Sequence, residues 1–147
     1  MLSFPEPRLR PRALRVSPSH MTVVEKLLLL ALAGSLGALA RYGLSGVVQR
    51  WSGSTFPWGT MAANILGCFV FGLLWAIAVE RMAMSPEVRV ILLTGFLGSF
   101  TTFATFMSET YQLLAAAQYV AAMGNLLLTT LSGLGVFLLG LAVGRVV

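Results

Sequence analysis

Residues 90–109 read VILLTGFLGSFTTFATFMSE. No Lys, Arg, Asp or Glu interrupts 90–108. At 1.5 Å rise per residue, a helix of that length crosses a hydrocarbon core about 30 Å thick. Its centre nevertheless holds Gly95, Gly98, Thr101, Thr102 and Thr105 among four phenylalanines, Phe96, Phe100, Phe103 and Phe106. Gly and Thr weaken a helix, and a break inside a bilayer is tolerable only where protein buries the freed backbone groups. The stretch predicts a membrane helix broken near its middle.

Charge is sparse elsewhere too. The chain has 147 residues, 57% hydrophobic and 10% charged, against roughly 25% charged in a soluble domain. Stretches free of Lys, Arg, Asp and Glu cover 27–40, 51–79, 90–108 and 110–144. The last three each hold one span, and the first reaches span length by continuing past Arg41 to about Val48. Four helices are expected at about 27–48, 58–79, 90–111 and 119–144, joined by a Gly/Ser/Pro turn at 52–57 and a helix start at Ser85-Pro86. Period-2 alternation, which a membrane β-barrel requires, is missing. The class is all-α integral membrane, with both termini on one side. Cys68 is the only cysteine and His20 the only histidine, which excludes a disulfide scaffold and a His/Cys metal centre. No nucleic-acid partner is expected.

Residues 1–20 differ in kind. They hold four of the six prolines together with Arg8, Arg10, Arg12 and Arg15, and no apolar run. A secretory signal carries its apolar region directly behind the basic start, whereas here the apolar run is the first span. Met21 is expected to be the true start, with residues 21–147 as the functional four-helix domain; the alternative is a basic arm at an anionic membrane surface. Eight basic residues lie on the side of the termini (Arg8, Arg10, Arg12, Arg15, Lys26, Arg81, Arg89 and Arg145) and two, Arg41 and Arg50, on the other. From Met21 the contrast falls to four against two, weak enough for insertion in both orientations.

Four helices enclose little, so a path for a polar solute is expected between subunits. Polar residues inside spans mark it. Arg41 either snorkels to the headgroups or sets a positive charge at a pore mouth. Thr60 and Asn64 share a helix face with Phe71; the Asn64 amide either joins helices or donates an N–H to a passing anion. A break at 94–109 exposes carbonyl oxygens that suit a hard cation such as Na⁺, and a symmetric pair of chains would complete its shell. Phe103 and Phe106 lie three apart, on one side of the continuing helix, where their positive ring edges face a small dehydrated anion or simply pack. Asn125 and Thr129, followed by Gly133, form either a polar track or a seam. Small residues at spacings of three and four, among them Gly37, Gly72 and Gly140, fit close helix packing.

Taken together, these segments resemble the CrcB/Fluc family of fluoride-specific ion channels. The resemblance runs from about Leu27 to Arg145. It rests on Gly34-x-x-Gly37-Ala38-x-x-Arg41-Tyr42, on Phe56-Pro57-x-Gly59-Thr60-x-x-x-Asn64-x-x-Gly67, and on Gly95-Phe96-x-Gly98-x-x-Thr101-Thr102-Phe103-x-Thr105-Phe106-x-x-Glu109. It implies an antiparallel, dual-topology homodimer with two fluoride pores and a structural Na⁺ at the dimer centre, held by the carbonyls of Gly98 and Thr101. It also implies pore-lining Phe103 and Phe106, Asn64 as amide donor, Thr60, Thr105 and Thr129 as pore-polar positions, and Arg41 and Glu109 at the vestibule. Ser99 stands where the family often has glycine, Ala104 where serine is usual, and Asn125 near a tyrosine of some members. The implied role is passive fluoride efflux across a prokaryotic inner membrane, with no enzyme activity and no nucleotide site, the P-loop pattern being absent. A heterodimer with a similar chain is the other assembly. The rival reading is a dual-topology multidrug/proton exchanger, which needs a carboxylate deep in the membrane; Glu25, Glu80, Glu87 and Glu109 all fall near predicted span ends.

Overall fold

The computed structural model describes residues 21–147; the basic tail expected at 1–20 lies outside the described residues. Helix α1 (Val23–Ser52) opens on a capping box. The Thr22 hydroxyl accepts from the Glu25 N–H, and the Glu25 carboxylate accepts from the Thr22 N–H. It closes on Gly53, whose φ of 56° is left-handed. These caps carry α1 about a turn beyond each expected end. Helix α2 (Trp58–Glu80) starts directly after Pro57 and widens to π geometry over Ala76–Glu80.

Ser85 caps α3 by accepting from the Val88 N–H, with Pro86 in the first turn. Helix α3 (residues 86–100) is α-helical at Pro86–Arg89, π-helical at Val90–Leu97 and α-helical again at Gly98–Phe100. Thr101 and Thr102 then take extended dihedrals, with ψ of 156° and 116°. Helix α4 (Phe103–Ala115) resumes after them, and α5 (Tyr119–Val146) follows a three-residue turn. That turn is a Schellman motif with alanine in the left-handed position: Ala117 has φ 57°, its N–H donates to Leu114 O, and Gln118 N–H donates to Leu113 O. Val23–Ser52, Trp58–Glu80, Pro86–Ala115 and Tyr119–Val146 are each long and apolar enough to cross a membrane.

The helices pair as α1 with α3 and α2 with α5. Close approach depends on glycine: a Cβ at Gly72 would run into Phe137 O, and one at Gly140 into Phe69 O. A core of Ala63, Leu93, Leu97 and Phe100 fills the space between α2 and α3. Leu32, Leu36 and Leu39 on α1 and Leu131, Leu134 and Leu138 on α5 point outward. At the end holding the C-terminus, the Arg145 guanidinium meets the Glu80 carboxylate at 2.7 Å, and Arg81 donates to Arg145 O. The turns at 53–57 and 116–118 lie at the other end.

Candidate functional site

At the interruption between α3 and α4, helical hydrogen bonds are replaced by tertiary ones. In a continuous helix the Thr102 N–H would donate to Gly98 O. Here it donates to Asn64 Oδ1 (2.8 Å), and Asn64 Nδ2 donates back to Thr102 O (3.1 Å). The Thr105 N–H, which would reach Thr101 O, donates instead to Thr102 Oγ1 (3.4 Å). Ser99 O accepts from Arg41 Nε (3.2 Å). Arg41 therefore turns inward to a helix C-terminus, where a cation is favoured.

Gly98 O and Thr101 O consequently accept no hydrogen bond among the described residues, a state shared with Phe100 O. Gly98 lies exposed on the surface of the chain and Thr101 is half-buried. Gly67 lets the two elements close, since a Cβ there would run into Thr101 Cγ2. Donor-free carbonyls at the C-terminal end of a half-helix are a hard, partly negative set of the kind that holds Na⁺. They fit that ion, although one chain supplies only part of its shell.

Beside the break, a cleft of about 390 Å³ opens between α2, α4 and α5, lined by Asn64, Phe71, Phe103, Phe106, Thr129 and Phe137 among others. Phe103 and Phe106 meet edge-on, their centroids 6.1 Å apart and their planes at 61°. Phe106 is 5% exposed and Phe103 74%, so the two rings do not share an environment: one is enclosed and the other stands at the open side. Phe137, brought in from α5, has no partner spacing that sequence alone could have used.

A wider polar mouth of about 730 Å³ holds Arg41, Thr60, Thr105 and Glu109 at the end with the 53–57 turn. Thr60 Oγ1 donates to Glu109 Oε1 (2.7 Å), while Glu109 Oε2 is buried without a partner among the described residues. Gln49 closes the rim: its Nε2 donates to Ser54 O and Phe56 O, and its Oε1 accepts from the Gly59 N–H. Sequence reading passed over Gln49. Thr102 borders both spaces. The expected residues thus divide into a mouth set and a cleft set, with the break between them.

Asn125 and Thr129 form a seam. Asn125 is 1% exposed; its Nδ2 donates to Thr110 Oγ1 (2.9 Å) and its Oδ1 accepts from Thr129 Oγ1 (3.3 Å). Thr110 Oγ1 in turn donates to Phe106 O (2.8 Å). Thr110 was not singled out from the sequence, although its i, i+4 relation to Phe106 is the signal that finds it.

A family profile described as CrcB-like protein, camphor resistance (CrcB), matches residues 28–141. A fluoride-specific ion channel FluC of Solidesulfovibrio magneticus is 50% identical over 125 residues, covering 85% of this chain and 100% of the relative. One from Nitratidesulfovibrio vulgaris is 48% identical over 128 residues, covering 84% and 100%. One from Nitrosococcus oceani is 46% identical over 123 residues, covering 84% and 98%. These relatives are named as ion channels, a non-enzyme family.

Proposed function

The chain belongs to the CrcB-like family, and from that premise we propose that it is a fluoride-specific ion channel that passes F⁻ passively out of the cytoplasm and so lowers its toxicity. The observation that carries this reading is the junction at Thr101–Thr102. Carbonyls without donors end one half-helix there, and a phenylalanine-lined cleft begins at the other. The working unit is a dual-topology homodimer of antiparallel chains in the inner membrane of a prokaryote, a heterodimer with a similar chain being the other form. The junction lies at mid-bilayer. Gly98 O and Thr101 O of each chain hold one Na⁺ at the dimer centre, which supplies fixed positive charge there.

The remaining chemistry belongs to side chains. Arg41 raises the local anion concentration at the mouth. Thr105 offers a hydroxyl proton along the way in, and Thr60 stands beside it with its own proton held by Glu109. A dehydrated fluoride then meets the positive edges of Phe103 and Phe106 and the second N–H of Asn64, the first being spent on Thr102 O. The N-terminus of α4 adds partial positive charge, and Thr129 stands on the far wall of the cleft. Carboxylates and phosphates find no full charge to grip. Fluoride enters a cell as the neutral acid and is trapped as the anion; a potential negative inside expels it with about 2.3 kcal/mol per charge per 100 mV.

Purified protein in liposomes is expected to release F⁻, read with a fluoride electrode, and to retain Cl⁻. Equal Cl⁻ release overturns the reading. Phe106→Ile is expected to slow F⁻ release by at least about tenfold, equivalent to about 1.4 kcal/mol of barrier.

A further inference from the structure

Thr129, Asn125, Thr110 and Phe106 are joined by a one-way run of hydrogen bonds. The Phe106 carbonyl can only accept, so the Thr110 hydroxyl must donate to it (2.8 Å). Thr110 Oγ1 must then accept from an N–H of Asn125 (2.9 Å). That fixes the Asn125 amide with Nδ2 toward Thr110 and Oδ1 toward the Thr129 hydroxyl (3.3 Å). Phe106, Thr110, Asn125 and Thr129 are all buried, Asn125 at 1% exposure. Bonds that point the same way polarise one another and specify a single arrangement.

Two consequences follow. The proton of Thr129 is turned away from the cleft, toward Asn125, so this hydroxyl presents lone pairs there and does not serve a passing anion as a donor. The run also ends on the backbone of Phe106, the enclosed member of the edge-on pair. We propose that Thr110 and Asn125 are positioning residues that lock the turn of α4 carrying Phe106 against α5, and so set where its ring edge stands in the cleft. Arg41 ties down the end of α3 through Ser99 O, and the Asn64–Thr102 stitch holds the start of α4; this run holds its middle. The functional half of the inference rests on the channel reading above, while the positional half does not.

The test uses full-length protein in liposomes, with 4-fluorophenylalanine placed at position 106 in parallel samples. Thr110→Val keeps the shape and deletes the hydroxyl. It is expected to slow F⁻ release by about tenfold, or about 1.4 kcal/mol of barrier, and to split or broaden a single ¹⁹F resonance. Thr110→Ser is expected to restore both. The pair Thr110→Val with Asn125→Leu removes both partners together and leaves no orphaned amide, so it serves if the single variant fails to fold; it too is expected to conduct slowly. An unchanged ¹⁹F line in either the single or the paired variant overturns the lock. A moved line with F⁻ release within about twofold of the parent overturns its bearing on conduction. A parent that releases no F⁻ sinks the channel reading, and the ¹⁹F result still decides the lock.

Discussion

Asn64 spends its carbonyl and one of its N–H bonds on a single residue, Thr102, 38 positions away. The exchange replaces what a continuous helix would have supplied, and it leaves Gly98 O without its ordinary donor. Asn64 is therefore both a joint between helices and a donor with one proton left, so the two readings its position allowed are compatible. Asn64→Ala orphans the N–H and C=O of Thr102 in a half-buried site, which costs about 1–3 kcal/mol for each group left unpaired. A lowered unfolding temperature in detergent is the expected result, and an unchanged one would mean that water or another side chain replaces the amide. Arg41 was equally open from the sequence. Its bond to Ser99 O settles its direction, since a snorkelling side chain would have left that carbonyl bare.

At the level of elements, caps and glycines decide where helices stop and how close they come. Thr22, Ser85 and Thr102 each begin a helix by accepting an N–H three residues on. Ser85 is the one the sequence marks as a helix start; Thr22 lies ahead of the start expected at about 27, and Thr102 falls inside the expected break. The pairing of α2 with α5 was not visible in the same way. Glycines recur on α1, α2, α3 and α5, but only some meet a neighbouring backbone. Gly140 faces Phe69 O, whereas a Cβ at Gly135 would meet nothing within 4 Å among the described residues. Gly140→Ala is expected to cost about 1–3 kcal/mol through overpacking, and Gly135→Ala to be neutral or stabilising by up to about 1 kcal/mol. Parallel thermal unfolding of the two variants checks the contrast. Equal behaviour would show that α2 and α5 do not touch along this line.

On the scale of the whole molecule, the proposed dimer turns an incomplete feature of one chain into a closed site. Of the donor-free carbonyls, that of Gly98 lies at an exposed residue and that of Thr101 at a half-buried one, and Phe103 stands at the open side of its cleft. An ion that binds only the assembled state stabilises it by mass action. Exchanging Na⁺ for N-methylglucamine at constant ionic strength is therefore expected to lower the unfolding temperature of the dimer, with recovery on adding Na⁺ back. Insensitivity to the exchange would remove the ion from the proposal. The amino-acid sequence by itself determined that this is a four-span membrane protein, because the cost of placing charge in hydrocarbon is set residue by residue along the chain and needs no knowledge of neighbours. Only the tertiary structure decided that Asn64 closes on Thr102, that Asn125 is a seam, and that the mouth and the cleft are separate. Each of those depends on which distant donor reaches a given acceptor, and that is fixed by helix packing rather than by the order of residues.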